Sequence, residues 1–346
     1  MMAEISIGPI QIPGRLVYDF FHVFISPGFV AVLVLVILII WAERKIAGLV
    51  QLRYGPLYVS RRFGGVLQLV ADLIRYTFQE FIIPRGVDKL AYLTAPAIAL
   101  FFAIVPIAFI PVSPDYLPPI YVSSNLLVVI ALLAVAPIFI ILTGYASDNK
   151  FAFIGSLREA FLMISYEIPF ILSILSMALI YGSLDLYNAV DIQSRSVIGL
   201  LLNPLAAIVA YIAIIRITSR FPFEISEAES EVVMGPYTEY SGLMYGVAMG
   251  ISYIKLYVYS VLFTMIFLGG WLPVVGGDPL TRFFSSNIVV LIKVVVLMLI
   301  AVFLRSVYPR YRVDQAIRLG WSQVLALSIA SIFWSLAVSI ILQRWL

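Results

Sequence analysis

Long stretches without a charged residue are the feature that most limits what this chain can fold into. A helix that crosses a bilayer core of about 30 Å needs about 20 apolar residues. Five charge-free stretches reach this length, and three more apolar stretches carry one charge inside them, Glu167, Lys255 or Lys293. The sequence therefore predicts an all-α integral membrane protein with about eight transmembrane helices. The predicted spans are residues 23–42, 90–113, 121–146, 158–181, 197–217, 242–268, 284–305 and 320–343.

The composition excludes several classes of protein. The chain is 62% hydrophobic and 12% charged, whereas soluble domains are about 45–50% apolar and about 25% charged. A soluble enzyme and a disordered chain are therefore excluded, and a net charge of +3 is too small for a nucleic-acid binder. Because Cys is absent and His22 is the only histidine, we expect no disulfide, iron–sulfur cluster or metal site. We expect one membrane domain, residues 1–346, without a cleavable signal peptide.

The positions of Lys and Arg predict the orientation of the chain. When the spans are numbered from the N-terminus, 16 of the 22 Lys and Arg residues lie in or beside the odd-numbered connections. Only four lie in the termini and the even-numbered connections. Cytoplasmic loops carry the excess of Lys and Arg. The odd-numbered connections are therefore predicted to be cytoplasmic, with both termini on the far side.

The first odd-numbered connection contains a segment, residues 64–80, that is predicted to be an amphipathic helix lying in the membrane interface. Its apolar residues recur at helical spacing, and its polar residues form the opposite stripe. At 17 residues it is too short and too polar to span. Two interpretations stay open: an ordinary surface helix, or one wall of an opening for a lipid-soluble substrate. The apolar set is Val66, Leu69, Val70, Leu73, Ile74 and Phe78, and the polar set is Gln68, Asp72, Arg75 and Gln79.

Three charged residues are predicted near the middle of the membrane. A charge at this depth costs about 2.5–3.5 kcal/mol on insertion scales, so each needs a reason. Lys255 and Lys293 have long stems and can reach a polar region or a static partner. Glu167 has a short stem, and a buried carboxylate can exchange protons near neutral pH. Glu167 is therefore the best single candidate for a proton relay.

The connection between the fifth and sixth spans is unusually acidic. If residues 223–234 form a helix, Glu224, Glu227 and Glu231 share one face while Glu229 points away. Such a run is either a solvated face or a group of carboxylates that share protons because they repel one another. Its position between two spans favours the second interpretation. The glutamates of the connection are Glu224, Glu227, Glu229, Glu231 and Glu239.

Three glycines follow this connection at intervals of four residues. Gly242, Gly246 and Gly250 form a GxxxGxxxG run at the start of the sixth span. Small residues at this spacing let helices approach closely. The run predicts tight helix packing rather than chemistry.

Several motifs together resemble one family. They are E-R-K-x-x-G-x-x-Q-x-R-x-G-P at 43–56, S-Y-E at 165–167, R-x-P-F-E-x-x-E-A-E-S-E at 220–231, E-Y-S-G at 239–242, L-G-G-W at 268–271 and P-R-Y-R-x-D-Q at 309–315. By these motifs the protein resembles the membrane component of respiratory complex I (NADH:quinone oxidoreductase) that joins the membrane arm to the hydrophilic arm. The motifs cover most of the chain.

The resemblance implies a role for particular residues. One set would line the quinone chamber or its cytoplasmic approach, and another would relay protons from that chamber into the membrane arm. The implied quinone-binding set is Glu43, Arg44, Arg53, Asp72, Phe223, Glu224 and Arg305. The implied proton-relay set is Glu167, Glu227, Glu229 and Glu231.

The resemblance also implies a cellular setting. Quinone would be a substrate, and iron–sulfur clusters and flavin would lie only in partner subunits. The partners would be the hydrophilic iron–sulfur and quinone-site subunits on the cytoplasmic side, the small and antiporter-like membrane subunits, and lipid. A prokaryotic plasma membrane is favoured over the mitochondrial inner membrane.

The sequence departs from the family pattern at two acidic positions. Many members have Glu three residues before the Arg of R-x-P-F, where Ile217 stands in this sequence. Many have A-E-Y in the sixth span, where Ile251, Ser252 and Tyr253 stand here, with Lys255 close by. The resemblance alone therefore leaves open whether the proton path is the same.

Two alternative functions stay open at this point. The first is the homologous subunit of a membrane-bound hydrogenase or a ferredoxin- or F420-linked complex, which the long acidic motif and L-G-G-W disfavour. The second is a free-standing ion-coupled transporter. Such a transporter is expected to show inverted repeats and broken helices, and the sequence contains no convincing repeat.

Overall fold

The computed structural model describes residues 5–7, 10–12, 14–62 and 64–343, and its regular structure is almost entirely helical. The strands among these residues are β1 (Ile5–Ile7) and β2 (Ile10–Ile12), which form a small antiparallel hairpin. The predicted all-α membrane fold is confirmed. The α-helices are α1 (Gly14–Phe20), α2 (Phe29–Val50), α3 (Leu67–Phe78), α4 (Lys89–Ile104), α5 (Asn125–Leu133), α6 (Ala136–Ala146), α7 (Lys150–Tyr181), α8 (Leu186–Arg195), α9 (Gly199–Leu202), α10 (Pro204–Ile217), α11 (Glu229–Val232), α12 (Gly242–Phe267), α13 (Pro279–Val307), α14 (Val313–Leu319) and α15 (Leu325–Gln343).

Seven helical segments of the described residues are long and apolar enough to cross a membrane. In three of these segments, a short π or 3-10 turn continues an α-helix or joins it to the next one. The segments are Val17–Val50, Lys89–Phe109, Asn125–Ala146, Lys150–Tyr181, Gly242–Phe267, Pro279–Val307 and Val313–Ile341.

The predicted span 197–217 has a different form. It is divided into α9 and α10, and α10 has 14 residues. At 1.5 Å per residue α10 is roughly 21 Å long, which is shorter than a bilayer core. α10 packs against α7, α12 and α15, and the polar side chains at its two ends, Asn203 and Arg216, are buried within the protein.

The break between α9 and α10 is held by one buried side chain. The Asn203 side-chain oxygen accepts a hydrogen bond from the Ala206 amide at 2.9 Å and so caps the start of α10. Its amide group donates to Ser331 O at 3.0 Å and to Ser335 Oγ at 2.9 Å on α15. This polar contact ties the short helix to the last one.

The centre of the bundle is formed by α7, α10 and α12. In the most apolar part of α12, 78% of the residues are buried, against 22% for the segment Val313–Ile341. α7 packs against α6, α10 and α15, while α12 packs against α4, α13 and α2. The charged residues Glu159, Glu167 and Lys255 of α7 and α12 therefore lie inside the protein.

Helix α3 lies within the predicted interfacial segment and packs against the start of α12. A Cβ at Gly242 would lie 3.1 Å from the Gln79 carbonyl oxygen, and one at Gly246 would lie 3.4 Å from the Tyr76 side chain. A Cβ at Gly250 would meet nothing within 4 Å. The close packing predicted from the glycine run holds for the first two glycines and is wrong for the third.

Candidate functional site

The connection between α10 and α12, residues 218–241, folds as a series of turns. The condition of a helix over 223–234 is not met, because only α11 is helical there. Val233 and Gly235 have φ values of 60° and 56°, which a helix cannot continue. A Cβ at Gly235 would lie 2.1 Å from the Ser226 carbonyl oxygen, so glycine lets these two parts of the connection approach each other closely.

Glu43 of α2 joins three other elements through its carboxylate. Arg220 Nη1, from the connection, lies 3.2 Å from Glu43 Oε2. Arg305 of α13 donates a hydrogen bond to Oε1. The hydroxyl of Tyr253 on α12 donates to the same carboxylate, at 3.3 and 3.2 Å from its two oxygens. A buried carboxylate needs several donors of this kind to offset the loss of water.

The arrangement extends from Glu43 to a second glutamate. Arg305 Nη2 lies 3.2 Å from Glu224 Oε2. The Arg220 guanidinium lies over the Tyr253 ring, 3.5 Å from its centroid, which adds a cation–π contact. We call Glu43, Arg220, Glu224 and Arg305 the charge cluster. Its two acids and two bases balance, as buried charges require.

A second buried ion pair lies deeper in the bundle. Arg216 is fully buried, and its two terminal nitrogens lie 3.3 and 3.2 Å from the Glu159 carboxylate oxygens. The Ser219 hydroxyl also donates to Glu159. Glu159 was not predicted as a functional residue, because it stands at the mouth of a predicted span. Glu159, Met163 and Glu167 follow one another at intervals of four residues and so share one face of α7. This spacing is a signal in the sequence that could have identified Glu159 as a neighbour of Glu167.

A small cavity lies beside this pair. Its volume is about 20 Å³, which exceeds the roughly 10–15 Å³ that one water needs. The positions where the sequence departs from the family pattern, Ile217 and Ser252, both line this cavity. The polar side chains around it include Glu159, Ser219, Glu227, Tyr237, Ser252 and Lys255.

Glu227 is the acid of the connection that reaches the cavity. Burial raises the pKa of its carboxyl to about 8, and the nearby charges of Glu224 and Glu159 act in the same direction. Arg220 opposes this shift. Burial also raises the pKa of the Tyr237 hydroxyl well above its ordinary value. A carboxyl with a pKa near 8 can gain or lose a proton at physiological pH.

Glu167 and Lys255 occupy the interior of the bundle on α7 and α12. Glu167 is 8% exposed, and its Oε1 atom has no hydrogen-bond partner among the described residues. Lys255 is 3% exposed and interacts electrostatically with Glu159 and Glu167. Lys255 thus lines the cavity and also interacts with Glu167.

The other implied quinone residues lie outside the charge cluster or at its edge. Arg44 forms an ion pair with Asp72 at 2.7 Å, which joins α2 to α3. Arg53 is exposed, and its Nε donates to Gln51 at 2.6 Å. Phe223 is buried, and its ring centroid lies 5.3 Å from that of Tyr166 and 5.4 Å from that of Tyr311.

The remaining implied relay residues lie on α11. Glu231 is exposed and pairs with Arg158 at the start of α7. Glu229 begins α11, and its side chain lies outside the described residues. Of the four implied relay residues, the structure therefore places Glu227 at the cavity and Glu167 where it interacts electrostatically with Lys255.

Lys293 has a structural environment that differs from that of Lys255. Its ammonium group donates to three carbonyl oxygens that follow α12, those of Leu268, Gly270 and Leu272, at 2.7, 2.8 and 2.5 Å. These contacts satisfy all three of its donors. Lys293 therefore fastens the end of α12 to α13.

The fold and these contacts define a class of protein: a multi-pass helical membrane protein with a balanced charge cluster at one end and ionisable residues leading from it into the bundle. The residues that the structure describes contain no group of three or more His, Cys, Asp or Glu residues that could hold a metal ion.

Comparison with known proteins identifies the family. A family model described as NADH dehydrogenase matches residues 25–336. A protein of Geobacillus sp. (strain WCH70), named as the H subunit of NADH-quinone oxidoreductase, is 38% identical over 303 residues, 88% of this chain and 89% of the relative. Proteins of the same name from Rhodospirillum centenum and Bacillus cytotoxicus are 36% and 37% identical, over 87% and 85% of this chain and 88% and 86% of their own lengths. The chain belongs to this NADH dehydrogenase family, with the H subunits of NADH-quinone oxidoreductases as its relatives.

Proposed function

We propose that this chain is the junction subunit of a proton-pumping NADH:quinone oxidoreductase, where it forms the quinone access chamber and couples quinone reduction to proton translocation. The observation that carries the proposal is the charge cluster and its link, through Glu227 and the cavity, to the bundle interior. The names of the relatives support the same assignment.

The quinone would enter from the lipid between α2 and α3. In the single chain, the apolar residues Leu73, Ile74 and Phe78 of α3 are 48%, 52% and 84% exposed, as expected for a helix that meets lipid or a hydrophobic substrate. A quinone headgroup needs hydrogen-bond donors once it leaves water or lipid headgroups. We propose that Glu43, Arg44, Arg53, Asp72, Phe223, Glu224 and Arg305 surround its path.

Reduction of the quinone would then drive the protonation changes. Conversion of a quinone to a quinol takes up two electrons, which the partner subunits would supply, and two protons. Protons drawn from nearby residues would change the charge of the cluster. Glu227, with its raised pKa, would respond first, together with Glu229 and Glu231. Glu167 would receive the proton inside the bundle.

The protein would work only within a larger assembly. Flavin and iron–sulfur clusters would belong to partner subunits, which would dock at the cytoplasmic end with the odd-numbered connections. Small and antiporter-like subunits would adjoin it in the plasma membrane of a prokaryote. A membrane-bound hydrogenase or a ferredoxin- or F420-linked complex is the alternative assembly, and the names of the relatives favour the quinone-linked one.

The test uses the purified complex that contains this chain, reconstituted into liposomes. We expect NADH-driven reduction of a short-tailed quinone together with proton uptake. We expect Glu167→Gln to assemble and to lower proton uptake by about tenfold or more, since a positioned proton-transfer group contributes about 10²–10⁴-fold. Reduction of ferredoxin or production of hydrogen without any response to quinone would contradict the proposal. A Glu167→Gln complex with normal proton uptake would remove Glu167 from the relay.

A further inference from the structure

Lys255 is a buried cation whose surroundings differ from those of Lys293. It lies in the middle of α12 and is 3% exposed. Whereas Lys293 donates to three carbonyl oxygens, Lys255 makes no hydrogen bond to any residue that the structure describes. A buried ammonium needs satisfied donors or a counter-charge, so this position calls for an explanation.

The groups that face Lys255 come from three surrounding elements. Glu159 and Glu167 of α7 attract it, and Arg216 of α10 repels it. Glu227 and Tyr237 of the α10–α12 connection line the same cavity. Lys255 is thus the cavity residue that also interacts with Glu167.

The Glu159 carboxylate is not available as a static partner that serves Lys255 only. Glu159 already accepts hydrogen bonds from both terminal nitrogens of Arg216 and from Ser219. Glu159 and Arg216 therefore form a fixed ion pair on one side of the cavity. Lys255 therefore interacts with a second acid, Glu167, and lines the same cavity as a third, Glu227.

We propose that Lys255 carries protons between Glu227 and Glu167, with a water molecule in the cavity completing the path. The inference rests on the proposed function and adds a residue to it. In the first step, the Lys255 ammonium transfers one proton to the Glu167 carboxylate, leaving a neutral amine and a carboxylic acid. In the second step, the Glu227 carboxylic acid transfers one proton through the water to the amine. Glu227 ends as a carboxylate, Lys255 is again an ammonium, and one proton has moved to Glu167.

A static positive charge and a proton carrier predict different effects of substitution. Lys255→Met removes both the charge and the proton, and its unbranched side chain fits the space. Lys255→Arg keeps a charge that cannot be released. Lys255→Glu reverses the charge but can exchange a proton. Each variant is introduced into the complete complex, and its assembly is checked by native electrophoresis before reconstitution.

Proton uptake per NADH oxidised is then compared with the wild type. We expect Lys255→Met and Lys255→Arg each to lower it by about tenfold or more, while Lys255→Glu retains more uptake than Lys255→Met. Normal uptake in the Met or Arg variant, or less uptake in the Glu variant than in the Met variant, would overturn the inference. So would failure of the Met variant to assemble, because Lys255 would then be a structural group. A wild-type complex that shows no quinone-dependent uptake would instead reject the proposed function.

Discussion

At the scale of single residues, the site depends on the way buried charges are matched. Glu43 pairs with two arginines from separate elements, and Glu159 pairs with Arg216. Removing one member of such a pair leaves an uncompensated charge, which costs far more than the pair contributes when it is intact. The residues of the cluster are therefore expected to affect stability as well as function.

Replacing Glu43 with alanine is predicted to destabilise the protein. The substitution leaves Arg220 and Arg305 close together without their shared carboxylate, at a cost of about 3–5 kcal/mol. We expect less assembled complex on native gels and a lower melting temperature. Asp191→Asn is the matched control, since it removes a carboxylate from an exposed pair with Arg195 and should leave both measurements unchanged. Equal behaviour of the two variants would contradict the role of Glu43.

The pH dependence of stability is predicted to follow from Glu227. Its folded pKa of about 8 lies above the ordinary value of 4.5, so the folded state binds more protons between these values. The contribution of Glu227 to stability is therefore full below about pH 4.5 and falls as the pH rises toward about 8. Glu227→Gln removes this loss, and we expect it to stabilise the complex at alkaline pH by roughly 1–3 kcal/mol. Melting temperatures across the pH range test this, and an equal decline in both proteins would contradict it.

At the scale of elements, α3 is positioned by two kinds of contact. Arg44 and Asp72 tie it to α2 at 2.7 Å. The start of α12 lies so close that a Cβ at Gly242 would approach backbone oxygens of residues 79 and 80 at 3.1 and 3.2 Å. Small changes in this packing should therefore shift α3 and alter access to the charge cluster.

A glycine substitution provides the test at this scale. Gly246→Leu would press on Tyr76, whose side chain lies 3.4 Å from an added Cβ. We expect α3 to move and the KM for quinone to rise by about tenfold, corresponding to about 1.4 kcal/mol. Gly250→Leu is the control one turn away, where an added Cβ meets nothing within 4 Å. A KM that responds equally to both substitutions would show that packing against α3 is not the cause.

At the scale of the whole molecule, hydropathy predicted the helical membrane fold because the signal comes from about 20 residues at a time. It could not predict that α10 is only 14 residues long, because the shielding helices come from distant parts of the chain. The sequence shows the charged residues near mid-membrane, but it does not show which side chains they contact. Neither the pairing of Glu43 with Arg220 nor the cavity between Glu227 and Lys255 leaves a periodic pattern in the sequence.

The orientation of the chain can be tested because it contains no cysteine. Leu52, 96% exposed, lies in the first odd-numbered connection, and Val275, 59% exposed, lies in an even-numbered one. We expect a membrane-impermeant maleimide to label Val275→Cys in spheroplasts and to label Leu52→Cys only after the membrane is permeabilised. The opposite pattern would invert the proposed topology and place the charge cluster on the outer side.

The shortness of α10 has a consequence for the energetics of a respiring membrane. An electrical potential falls across the layer that excludes water, and moving one elementary charge through it is worth about 2.3 kcal/mol per 100 mV. Asn203 and Arg216, the polar limits of α10, lie roughly 20 Å apart along the helix and are both fully buried. The Arg216–Glu159 pair therefore lies inside the layer that excludes water, where it is exposed to part of the membrane voltage. A large membrane voltage would therefore exert a force on the charges of this buried pair.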